Sequence, residues 1–143
     1  MSYESLVKSG LIKPFKSAKK QAGDRLKLAE RDIKAAQAML AQDRDWAFAI
    51  AYNAVLQAAR ALMFFKGYRP AGGEGQHVAA MRFAEIALGE TFKGEIRIFD
   101  KMRSKRHRII YDLSGAISKS EAKQAFEFAI RFVDIVKTQI MSK

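Results

Sequence analysis

Between Lys101 and Asp112 the chain reads Lys-Met-Arg-Ser-Lys-Arg-His-Arg-Ile-Ile-Tyr-Asp. Lys101, Arg103, Lys105, Arg106 and Arg108 place five cations within eight residues, with His107 among them. Guanidinium groups present planar forks of N–H donors that match phosphate oxygens, and lysines add point charges. Histidine is the side chain whose charge changes near neutral pH. The chemistry that such a run offers is the binding of phosphate and, with a suitable base, proton transfer beside it.

The register of the run adds to its interest. Ile96, Phe99 and Met102 recur at three, and the stripe resumes at Ile109 and Leu113. Arg106 occupies the stripe position between them. Arginine rarely lies on a core-facing stripe unless it is paired or functional. Two readings stay open. In one, Arg106 points into a cationic pocket and its neighbours supply field. In the other, the run is a solvated basic face and Arg106 snorkels from the stripe's edge. Aromatic residues flank the run only at Phe99 and Tyr111, so a stacking platform for single strands is not indicated.

Other chemistry is poorly served. The chain has two histidines and no cysteine, which excludes thiolate metal sites, disulfides and a cysteine nucleophile. No HExxH-like spacing points to zinc, and no Gly-x-Ser-x-Gly elbow is present. Neither a metal site nor a cofactor is expected. Gly72, Gly73 and Gly75 form a glycine-rich loop ahead of His77, a setting that can cradle phosphate. The loop lacks the lysine and the Ser/Thr of a P-loop, and reads first as a connection. His77 reads first as a helix-start residue; a site role requires it to approach the fifth helix.

The elements that must position these residues are helical. Two prolines, Pro14 and Pro70, are the only ones in 143 residues, and long stretches are rich in Ala, Lys, Leu, Glu and Gln. The spacing predicts a helix over 17–41, with Leu26, Ala29, Ile33, Ala36 and Leu40 on one stripe. Asp43 and Asp45 offer N-caps. A highly apolar helix follows over 46–67, with Ala47, Ala51, Ala54, Ala58 and Ala61 as a face for close packing. Further helices are expected over 77–88, 92–113 and 119–141. Residues 1–16 form an N-terminal arm with a short helix and an extended stretch near Pro14. The expected fold is all-α, an antiparallel bundle of about five helices over 17–143.

Composition narrows the partners. Formal net charge is +11, which favours a polyanion such as RNA, DNA, a nucleotide or an acidic protein. No apolar run approaches the ~18 residues of a membrane span, and residues 1–10 lack a signal-peptide core. A cytoplasmic protein with no membrane partner is expected.

Taken with this frame, the chain resembles the HEPN family over roughly 18–140. The resemblance rests on the long helix pair over 18–67, on the glycine-rich connection followed by His77, and on Arg106-His107-Arg108-Ile109-Ile110-Tyr111-Asp112. The family motif is an arginine, a polar residue, and a histidine after four to six intervening residues. Arg106 and His107 match its start. Tyr111 stands where the catalytic histidine is expected, and no histidine follows His107. Active members resemble metal-independent ribonucleases whose motif meets across a dimer. Many are toxins paired with a small nucleotidyltransferase, and others bind only nucleotides or proteins.

The resemblance implies a homodimer that binds nucleotide or RNA phosphate with little catalysis. Lys101, Arg103, Lys105, Arg106 and Arg108 are the expected anion-binding residues. A ribonuclease toxin of a toxin–antitoxin pair, using Arg106 with His107 or Tyr111, is the alternative. Tyrosine, with a pKa near ~10, is a poor base at neutral pH. Positions 106 and 111 also lie about 140° apart around a helix, whereas 103 and 107 share a face. A helical protein-interaction adaptor is the third reading.

Overall fold

A computed structural model describes residues 2–16, 18–73, 75–111 and 117–141. Six α-helices and two short strands appear among them: α1 (Tyr3–Lys8), β1 (Ile12–Pro14), α2 (Ala18–Met39), α3 (Arg44–Phe65), β2 (Tyr68–Pro70), α4 (Gln76–Leu88), α5 (Lys93–Tyr111) and α6 (Lys119–Met141). A single 3-10 turn, Glu90–Phe92, leads into α5. Helices α2 to α6 are the five expected from periodicity, and α1 is the short helix of the arm. Leu113, expected near the end of the fifth helix, lies outside the described residues.

Helix α3 is central and touches α2, α4, α5 and α6. Its alanine face, Ala47, Ala51, Ala54, Ala58 and Ala61, is wholly buried. Small side chains let helix axes approach closely, and α2 answers with buried Ala22, Ala29 and Ala36. Leu26, Ile33 and Leu40 of the expected α2 stripe are only partly buried and pack beside this seam. The α2 face is therefore centred on alanines, with larger residues flanking it. Asp32 sits in the seam at 5% exposure. Its carboxylate is satisfied by Asn53 Nδ2 at 2.8 Å and by Arg31 at 3.1 Å, as a buried charge requires.

By length and composition α3 could cross a bilayer, but 78% of its apolar window is buried inside the bundle. Its apolarity is that of a core helix. The helix begins at Arg44, two residues ahead of the expected start. Asp43 is its N-cap and accepts from Trp46 N–H at 3.1 Å.

Pro14 and Pro70 belong to a small antiparallel ribbon. Ile12 pairs with Pro70, Lys13 with Arg69 and Pro14 with Tyr68. The connection from α3 to the glycine-rich loop thus contains a strand. No hairpin dipeptide announces the ribbon because its strands come from distant segments. The turn out of α3 runs through Gly67 at φ +91°, a left-handed conformation suited to glycine. Its carbonyl accepts from Phe15 N–H at 2.8 Å, which extends the ribbon. Ile12 and Leu6 enter the core.

Helix α5 buries Ile96, Phe99 and Met102, while Ile109 is partly buried. Phe99 contacts Phe132 of α6 edge-on, ring centroids 5.5 Å apart. On α6 the stripe Ala122, Ala125, Ala129, Phe132 and Val136 is buried. Ser118 and Glu121 exchange reciprocal bonds of 3.0 Å at its start, a capping box.

Candidate anion-binding cleft

Three elements meet at one end of α5. Helix α3 supplies Arg60, the loop before α4 and its first turn supply Gly73, Gly75, Gln76 and His77, and α5 supplies Arg103, Arg106 and His107. Together they line a cleft of about 580 Å³. Residues 103, 106 and 107 share a face because three and four residues make about one helical turn. No carboxylate lines the cleft among the described residues.

Arg106 is held at the stripe position by an aromatic ring. Its Cζ lies 5.9 Å from the ring centroid of Tyr52, which is fully buried on α3. Such a cation–π contact contributes about 0.5–1 kcal/mol at a partly exposed site. Among the described residues Arg106 has no carboxylate partner. Arg103 is anchored to Asp100 at 2.9 Å, one turn earlier.

His77 is tied to the same aromatic. Its Nδ1 lies 3.0 Å from the Tyr52 hydroxyl, and the two rings stack with centroids 5.7 Å apart. Burial pushes the Tyr52 phenol up to about 12, partly opposed by Arg106. Burial, and then the charge of Arg106, push His77 down to about 4. Both groups are therefore neutral at pH 7. The Tyr52 O–H has no other acceptor among the described residues, so it donates to Nδ1 and leaves the imidazole proton on Nε2. Arg60 is also lowered from its usual range, by burial and then by Arg25 nearby. Helix α4 opens at Gly75, φ +85°, with no side-chain cap. Its first N–H groups add positive potential to the cleft.

The basic run divides between two faces. Arg103, Arg106 and His107 line this cleft. Lys101, Lys105 and Arg108 line a different groove of about 700 Å³, between α5 and α6. There Lys105 is bonded to Glu121 at 2.5 Å. Tyr111 closes α5, and Asp112 lies outside the described residues. His77 does approach the fifth helix, which a site role required of it.

The cleft also uses residues that the sequence did not single out. Tyr52 lies on the buried side of an apolar helix, and its spacing carries no other signal. Arg60 carried one: it is the only cation in α3 beyond Arg44, within an otherwise apolar helix. Gln76 carried none. Among the described residues no group of three or more His, Cys, Asp or Glu could hold a metal.

These features define an antiparallel helical bundle whose cationic cleft joins the glycine loop to the fifth helix. Comparison with known families matches residues 22–139 to the HEPN domain, and the chain belongs to that family. The fold agrees with the crystal structure of TT1696 from Thermus thermophilus, at TM-score 0.64 and 22% identity, over 83% of this chain and 98% of that one. ST0689, an archaeal HEPN homologue, aligns at TM-score 0.60 and 22% identity, over 83% of this chain and 97% of its own. Comparison with curated proteins gives no match.

Proposed function

We propose that this HEPN protein binds the phosphate of a nucleotide or of RNA in the cleft between α4 and α5, with little catalysis of its own. One observation carries the reading: Arg60, Arg103 and Arg106 converge on a single cleft whose described lining has no carboxylate. Guanidiniums close together repel one another, and an anion bound between them removes that repulsion. His77 supplies neutral N–H and ring surface beside them. The chain acts as a two-fold homodimer and works beside a nucleotidyltransferase.

The test is binding of RNA and of AMP to the purified chain across a salt series. Arg106→Ala should weaken both ligands more than Lys19→Ala or Lys20→Ala, which lie on α2. Equal losses at all three positions would mean diffuse surface charge and end the proposal. Sedimentation at micromolar concentration should give twice 16.1 kDa, and a clean monomer would remove the dimer.

A ribonuclease is the second reading, favoured by the placement of His107 and His77 with Arg106 in one cleft. His77 is a poor proton donor at pH 7, since its imidazolium is displaced to about pH 4. His107 is exposed on the outer turn of α5. Incubation of metal-free protein with RNA should leave the RNA intact. Abundant 2′,3′-cyclic phosphate ends, lost in Arg106→Ala and in either His107→Ala or Tyr111→Phe, would replace the binding module by the nuclease.

A further inference from the structure

Beside the cleft lies a second pocket of about 390 Å³, and Arg60 and Gln76 line both. Its far side is built by the ribbon and by α2. Phe15 and Arg69 come from the ribbon side, Gln21 and Arg25 from α2, and Phe64 from the end of α3. Phe15 and the whole of strand β1 precede the segment matched to the HEPN domain. Gln21 precedes it too, whereas Arg25, Phe64 and Arg69 lie within it.

The pocket has the chemistry of a polyanion site. Arg25, Arg60 and Arg69 line it with no carboxylate among its described residues. Two of these guanidiniums lie over aromatic rings: Arg25 over Phe64 at 5.6 Å and Arg69 over Phe15 at 5.2 Å. Stacking fixes the plane of a guanidinium and leaves its N–H edges for an anion. Arg25 spends one donor on Gln57, at 3.0 Å. A second, independent observation is Gln21. Its Oε1 is buried and has no hydrogen-bond partner among the described residues. A buried acceptor without a donor is unfavourable, and a ligand N–H would relieve it.

We infer that the two pockets form one groove for a nucleic-acid strand, with one phosphate held by Arg103 and Arg106 and the adjoining nucleotide held in the ribbon pocket. There Arg25, Arg60 and Arg69 face the second phosphate, and Gln21 Oε1 accepts an N–H of the base. A cationic groove that follows a backbone, walled by rings and guanidinium planes, is how single strands are held. The inference rests on the phosphate-binding reading and adds the length of the ligand: a strand of at least two linked nucleotides, in preference to a mononucleotide.

The experiment compares AMP with a six-nucleotide single-stranded RNA, by titration of the full chain at several salt concentrations. The hexamer should bind more tightly than AMP. Arg69→Ala, at an exposed position, should weaken the hexamer about tenfold and leave AMP unchanged. It should also flatten the log–log salt dependence of hexamer binding by about 0.7 for each phosphate that the variant no longer neutralises. Arg25→Gln should act in the same direction, and circular dichroism reports whether either variant stays folded. Arg106→Ala should weaken both probes. Wild-type affinity and slope for the hexamer in both Arg69→Ala and Arg25→Gln would overturn the ribbon subsite while the cleft reading stands. Equal loss of AMP and hexamer in Arg69→Ala would also overturn it, since the subsites would not be separate. Failure of the wild-type chain to bind either probe would end the cleft reading and the inference with it.

Discussion

The two faces of α5 carry the same kinds of residue and have opposite surroundings. Lys101, Lys105 and Arg108 look towards α6, where Glu121, Glu127 and Gln124 line the same groove. Arg103, Arg106 and His107 look towards α3 and α4, where Arg60 and His77 wait and no described carboxylate lines the cleft. One side is a helix contact with carboxylates in reach, where Glu121 pairs with Lys105. The other is a cation cluster in which Arg103 pairs with Asp100, within α5 itself. A dense basic run therefore does not mark a site by its charge; the neighbouring helices decide which cations remain available.

The largest expected difference between the faces is in binding. Arg106→Ala should lower the affinity for AMP or RNA by about 10- to 100-fold, the worth of a charge-assisted hydrogen bond of roughly 1.5–3 kcal/mol. Arg108→Ala should lower it less than threefold. Calorimetric titration of both variants at one fixed salt concentration checks this. Equal losses would break the comparison, since both faces would then serve the ligand.

Proton linkage separates the faces next. His77 is held at about 4 in the folded chain, against about 6.5 when unfolded. Between these values the unfolded chain binds more protons, so stability rises with pH. The contribution is complete above about pH 6.5 and is lost as pH falls towards 4. The loss is about 1–2 kcal/mol, because the ring keeps contact with water that screens its neighbours. Urea unfolding from pH 7 to pH 4 should show this slope, and His77→Gln should flatten it. A bound phosphate favours the imidazolium, so affinity should rise as pH falls from 7 to 5. A flat stability profile in the wild type would remove His77 from the buried environment described here.

A smaller effect is expected at Tyr52. Tyr52→Phe keeps the ring beneath Arg106 and deletes only the hydroxyl bonded to His77. It should cost about 1 kcal/mol, the usual worth of one internal hydrogen bond. The His77 pKa should move up, because the donor that favours the neutral ring is gone. NMR titration of the imidazole protons reads the shift. An unchanged pKa would mean that burial alone sets it.

Much of the frame was legible in the sequence. The spacing of Ile96, Phe99 and Met102 marks the buried face of α5, and the five bundle helices fall where periodicity places them. Arg106 was visible as a break in a stripe, because a periodic pattern makes one misplaced cation conspicuous. Tyr52 was not, since an aromatic residue on an apolar face looks the same whether it fills a core or also carries a hydrogen bond. The split of the basic run follows from helix geometry. The pairing of Lys105 depends on Glu121, sixteen residues away in sequence, and only folding brings that carboxylate close. The ribbon was hidden for the same reason, as Pro14 and Tyr68 pair across the whole of α2 and α3.

The smallest expected effect lies on the face towards α6, at the Lys105–Glu121 pair. Both side chains are about one-third exposed. Exposed pairs contribute roughly 0–1 kcal/mol, since water screens them and two flexible side chains must be ordered. Glu121 has a further role at the start of α6, where it accepts from Ser118 N–H. The bond to Lys105, and then the Ser118 N–H, hold the Glu121 carboxyl below its usual range. A depressed carboxyl stabilises the fold above its unfolded pKa of about 4.3, and that stability is lost as pH falls through the lower folded value. Lys105→Ala removes one source of the depression and leaves the cap. Glu121→Gln removes the charge but keeps an acceptor for the cap. A double-mutant cycle should thus give a coupling of about 0.5 kcal/mol at pH 7, which is lost once acid protonates Glu121. Neither single variant should alter AMP affinity beyond threefold, because the cleft lies on the opposite face of α5. A coupling above about 2 kcal/mol would mean that this pair is desolvated. A large loss of AMP binding in Lys105→Ala would place the ligand in the groove between α5 and α6.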